Sequence, residues 1–191
     1  MVGTPGKIYN LISDKDLVLN AAFGQAYTTG LYLDVEANEV HAMSPKGTWI
    51  SALGLKVGQF NQETNQLMDV TTIVVRPRPA SVMAKGSKDV FKFGVVEVNG
   101  LAIDTFTDGN YVVNNYVSLS IKNRSSYSRL FISAPKVSAD FDAVLPPSEW
   151  EVADEVEYMH MNLKIYNIEL SAQCHGLMGI SNRETQVCSG S

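Results

Sequence analysis

The sequence predicts an all-β chain, an antiparallel sandwich or curled sheet of roughly eight to eleven strands built from hairpins. Three observations predict it. Apolar and polar residues alternate in runs from one end of the chain to the other, the period of half-buried strands. Asn99-Gly100 and Asp108-Gly109 separate such runs, and both pairs tolerate the positive φ angles of type I′ hairpin turns. Helix is confined to at most one short stretch near 148–158, where Ser148 precedes Glu149, Glu151, Asp154 and Glu155. Acids early in a helix suit its positive end.

In chain order, Leu17, Leu19, Ala21 and Phe23 fall on one strand face, because successive strand residues point to opposite sides. Leu31, Leu33 and Val35 repeat the pattern against Tyr32, Asp34 and Glu36, and Trp49, Leu53, Leu55 and Val57 repeat it again. Thr71 to Val75 is a β-branched run stopped by Arg76-Pro77-Arg78-Pro79, since proline cannot donate to a ladder. Phe91 to Val98, Leu101 to Thr107 and Asn110 to Lys122 then read as three consecutive strands, each paired with the next across the two glycine turns. In the third, Tyr111, Val113, Val117, Leu119 and Ile121 share a face that Asn115 interrupts. Met159, Met161, Leu163 and Ile165 are apolar at odd positions, whereas Tyr166, Ile168 and Leu170 are apolar at even ones. A bulge near Ile165-Tyr166 predicts that switch.

At 191 residues, 45% apolar and 18% charged, the chain is expected to form a single β domain over 1–191 with its own core. The formal net charge of −5 argues against nucleic acid as a partner, because phosphate binding needs clustered cations. No apolar run reaches the length of a membrane helix, so no membrane insertion is expected. Met1 to Lys7 lacks the basic and apolar regions of a signal peptide. The chain therefore reads as an intracellular protein or as an N-terminally truncated fragment of a larger one.

Catalytic chemistry finds no support in the residue spacings. His41, His160 and His175 have no partner at metal-ligand spacing, and no nucleophile motif is present. No enzyme activity and no cofactor are expected. Asp104, Asp108 and Asn110 could offer oxygen ligands around a tight turn, but their spacing is wrong for a calcium loop and turn chemistry accounts for them. Asp140 and Asp142 read as solvated surface acids. Cys174 and Cys188 could close one loop, stabilising by about 3 kcal/mol if oxidised, or could remain two free thiols. Asn123-Arg124-Ser125 matches the N-glycosylation acceptor pattern, in an expected turn. Trp49 reads as core, and Trp150 and exposed tyrosines as residues on which a sugar ring could stack.

Three segments carry a resemblance. Gly6 to Asp14 with Leu17 to Ala21 resembles the early strands of von Willebrand factor type D domains and of root-cap-like proteins. His175-Gly176-Leu177-Met178-Gly179 is similar to the closing Gly-Leu-x-Gly motif shared by type D domains and the C-terminal domain of inter-alpha-trypsin inhibitor heavy chains. Gly47 to Gly54 resembles the tryptophan-containing strand of the root-cap-like group. The Gly-Asp-Pro-His segment that opens type D domains is missing, Met178 stands where they carry cysteine, and where their calcium ligands follow only Asn182 and Glu184 could contribute. Disulfide-linked assembly and a calcium site are therefore not carried over. The resemblance implies an extracellular or cell-surface adhesion module whose partner is a protein or the extracellular matrix. A carbohydrate-binding sandwich is the alternative, and a hydrolase using acids near Asp104 and Asp108 a remote one.

Overall fold

The computed structural model describes residues 4, 6–25, 30–34, 39–43, 48–77, 93–124, 127–144 and 160–177; of 25, 30–34, 39–43, 48–49, 144 and 160 it describes the backbone alone. The strands are β1 (Ile8–Ser13), β2 (Leu17–Gln25), β3 (Gly30–Asp34), β4 (Glu39–Met43), β5 (Thr48–Asn61), β6 (Gln66–Pro77), β7 (Phe93–Val98), β8 (Leu101–Ala102), β9 (Gly109–Val112), β10 (Ser118–Asn123), β11 (Tyr127–Ala134), β12 (Val137–Val144) and β13 (His160–Ile168). Among the described residues only the last, Leu177, has helical backbone, and the stretch 148–158 lies outside them.

Two antiparallel sheets pack face to face. One has the order β1-β2-β5-β6-β7-β8 and the other β13-β12-β11-β10-β9, while β3 and β4 pair with each other. The inner faces follow the alternations read from the sequence, except in β11 and β12, which that reading did not pick out. Leu17, Leu19, Ala21, Phe23, Leu53, Leu55, Val57, Ile73 and Val75 from the first sheet join Leu119, Ile121, Leu130, Ile132, Ala139, Phe141 and Met161 from the second in one buried cluster. Removing any large member would cost about 2–5 kcal/mol through lost burial and the cavity left behind.

The Asn99-Gly100 hairpin forms as expected, with φ of +51° and +79°. Asn99 also ties the turn to the neighbouring strand β6, its Oδ1 accepting from Thr72 N at 2.8 Å. Beyond it the structure departs from the three-strand meander. β8 is only two residues long, and the chain then crosses to the other sheet, where β9 pairs with β10. Asp108-Gly109 is therefore not a hairpin turn. Asp104 causes the departure: its carboxylate accepts from Phe106 N at 2.8 Å and Thr107 Oγ1 at 2.7 Å. A side chain that satisfies local donors this way diverts the backbone from the ladder.

The expected single strand over Asn110 to Lys122 is likewise two strands. Asn114 Oδ1 accepts from Tyr116 N and Val117 N, both at 2.9 Å, and reverses the chain. Tyr111 then faces Leu119 in the ladder. Both partners are odd-numbered, so the alternation continues across the turn and imitates one strand. At β13 the expected bulge is present, with the register shifting between Ser138 and Ala139 so that Tyr166 is the extra residue.

Candidate functional site

The outer face of the five-stranded sheet holds a connected set of interacting polar and aromatic side chains. Alternation in β11 sends Ser128, Leu130 and Ile132 inward and Tyr127, Arg129 and Phe131 outward. Register places Arg129 opposite Asp142, and Phe131 opposite Asp140, which in turn faces Lys164. Arg129 grips Asp142 with two hydrogen bonds, Nε to Oδ1 at 2.7 Å and a terminal nitrogen to Oδ2 at 2.8 Å. Its Nε also lies 3.4 Å from Asp140 Oδ2. Such a fork is a strong, directional contact.

Asp140 is not the solvated acid expected from the sequence, for it is only 4% exposed although it points to the outer face. Tyr166 donates its hydroxyl proton to Asp140 Oδ2. That bond, with burial and the carboxylate charge, holds the Tyr166 hydroxyl above its usual pKa. The Arg129 guanidinium is likewise pushed upward, by its hydrogen bonds to Asp142 first. Cation and ring contacts complete the layer. Lys164 Nζ sits 4.6 Å from the Tyr166 ring centre, and the Arg129 guanidinium 5.3 Å from that of Tyr127. Phe131 leans on Tyr166 at 6.2 Å with the rings tilted by 57°. These neighbours fix one another's rotamers, and a prearranged surface loses little side-chain freedom on docking.

A second constellation joins the sheets at one end. Asp14, in the β1–β2 turn, accepts from Ser171 N at 2.6 Å, from the Ser171 hydroxyl, and from Lys15 N at 2.8 Å. Burial raises the Asp14 carboxyl, but these bonds and nearby Lys136 outweigh it and leave it below the ordinary value. Asp16, 6% exposed, takes Lys136 Nζ at 2.7 Å on Oδ2, while its Oδ1 has no hydrogen-bond partner among the described residues. Ser13 and His175 exchange two backbone hydrogen bonds of 2.7 and 2.8 Å. The segment after β13 is thereby strapped along β1.

The residues singled out in the sequence fall in different places. Cys174 is buried at 3% exposure and disulfide-bonded; the other cysteine of the chain, Cys188, lies outside the described residues. Of the closing motif, His175 makes the bridge to β1, Gly176 follows with φ +113°, and Leu177 is 40% exposed, while Gly179 lies outside the description. Asn123 ends β10 rather than lying in a turn. Its Nδ2 donates to Thr105 O at 3.2 Å and its Oδ1 accepts from Ser128 Oγ at 2.6 Å. A glycan on that nitrogen would have to share it with the Thr105 bond.

Asp104 and Asp108 serve the backbone. Asp108 Oδ1 accepts from Asn123 N at 2.7 Å, which with Arg124 holds its carboxyl low, and Asp104 is held low chiefly by the Thr107 hydroxyl. Trp150 and the side chains of Trp49, His41 and His160 lie outside the described residues. Sequence reasoning missed Arg129, Asp14, Asp16, Lys136 and Ser171. Recognising the two-residue Pro135-Lys136 turn would have placed Arg129 opposite Asp142. No local signal could have joined Asp14 to Ser171, which are 157 positions apart. No known family model, curated protein or solved structure matches the chain.

Proposed function

We propose that the chain is a non-enzymatic extracellular or cell-surface module that contacts protein partners, extracellular matrix included, through the outer face of its five-stranded sheet. The observation that carries this reading is the prearranged set Tyr127, Arg129, Phe131 and Tyr166 around Asp140 and Asp142. Aromatic residues and arginine are the types enriched at protein interfaces and at their energetic centres. The disulfide at Cys174 supports an oxidising compartment, and the resemblance to type D domains points the same way. Sugar binding is less favoured, because a ring stacking on Tyr166 would have to displace Lys164 from its face. The test is surface plasmon resonance of the chain against purified matrix proteins, beside a glycan array and a hydrolase substrate panel. Saturable binding to a matrix protein, lost in F131S/Y166S with the fold retained, is expected. Turnover abolished by one substitution, or binding confined to glycans, would refute the reading.

A further inference from the structure

The same face also carries a charge signature that bears on its partner, and the step rests on the reading just given. Lys122, Arg129 and Lys164 lie there with Asp140 and Asp142, an excess of one positive charge on a chain of net charge −5. The two carboxylates are already spent on Arg129 and Tyr166. Lys122 and Lys164 are not: neither has a carboxylate within 4.0 Å among the described residues. Lys122 feels Asp108 through space, but that acid is engaged by Asn123 N and Arg124. The two lysines stand on β10 and β13, three strand spacings apart and one pleat offset, about 16 Å. Between them Phe131 presents a partly buried ring on β11.

We propose that this face takes an acidic protein segment, with carboxylates reaching Lys122 and Lys164 on either side of an apolar side chain seated on Phe131. Charge complementarity with Lys122 and Lys164 draws such a segment to this face and sets its register. Lys164 need not leave Tyr166 to do this, since an ammonium above a ring keeps donors free for a carboxylate.

The probe is a synthetic peptide with two glutamates on each side of a leucine, titrated into the isotope-labelled full chain and followed by backbone amide shifts. Saturable shifts centred on β10, β11 and β13 are expected, weakened about tenfold or more in K122E/K164E and several-fold by raising salt from 50 to 500 mM. Both lysines are exposed, so the double variant should keep the wild-type spectrum elsewhere. Absence of shifts, shifts unaffected by the double reversal, or a response at this face to a heparin hexasaccharide but not to the peptide would overturn the proposal. If matrix binding still depends on Phe131 and Tyr166 while the peptide gives no shifts, the acidic partner fails and the binding face stands.

Discussion

At position 176 one methyl group decides whether the C-terminal segment can lie on the first strand. Gly176 has φ +113°, and a Cβ there would sit 2.7 Å from Leu11 O and 2.8 Å from Asn10 Oδ1. Gly176→Ala is therefore expected to lift the segment from β1, costing about 1–3 kcal/mol. Faster amide exchange at Ser13 and His175 would register it, and unchanged exchange would contradict it. Asp14 is the other anchor. Its carboxyl is lowered in the folded chain, so its contribution is present above the ordinary carboxylate range and fades as pH falls below about 4 toward the folded value. Asp14→Asn should lower stability at neutral pH by about 1–3 kcal/mol and converge with wild type in acid; parallel pH profiles would show that Asp14 contributes nothing. Lys136→Met would leave Asp16, 6% exposed, without the cation it pairs with. A loss of about 1–3 kcal/mol in chemical denaturation is expected, discounted because Lys136 is itself part-exposed.

Among the elements, the β11–β12 hairpin holds most of the candidate site, because its register brings Arg129 to Asp142 and Asp140 beneath Tyr166. Arg129→Ala should destabilise by about 1–3 kcal/mol, since it leaves a buried carboxylate short of donors. Thermal melting measures this, and a neutral result would mean the face is loosely held. The neighbouring β9–β10 hairpin shows how far elements were legible. Every inward residue from Tyr111 to Ile121 was identified from alternation, yet the turn at Asn114 was not, because parity survives a reversal that pairs odd positions with odd positions. Asn115 marked the interruption without saying that the chain turned back. Asn99-Gly100 was legible because its chemistry is local, whereas Asp108-Gly109 misled because the same residue types also serve as acceptors for distant backbone, here Asn123 N.

At the scale of the molecule, two sheets share one core and are latched at one end by Asp14 to Ser171 and Asp16 to Lys136. The all-β class was legible because burial imposes period two on every strand. Which sheet each strand joins was not, because sheet assignment depends on contacts far apart in sequence, as when β8 and β9 separate. The sheet edges are blunted: β8 and β9 are short, His175 bridges β1, and β13 carries Lys164 and the Tyr166 bulge. Such devices discourage strand addition. The most direct measurement of the functional account compares two charge- and shape-altered variants for binding to one purified matrix protein: F131S/Y166S on the five-stranded sheet and K56E/R76E on the six-stranded sheet. Loss of binding in the first with retention in the second is predicted, and retention in the first with loss in the second would contradict it.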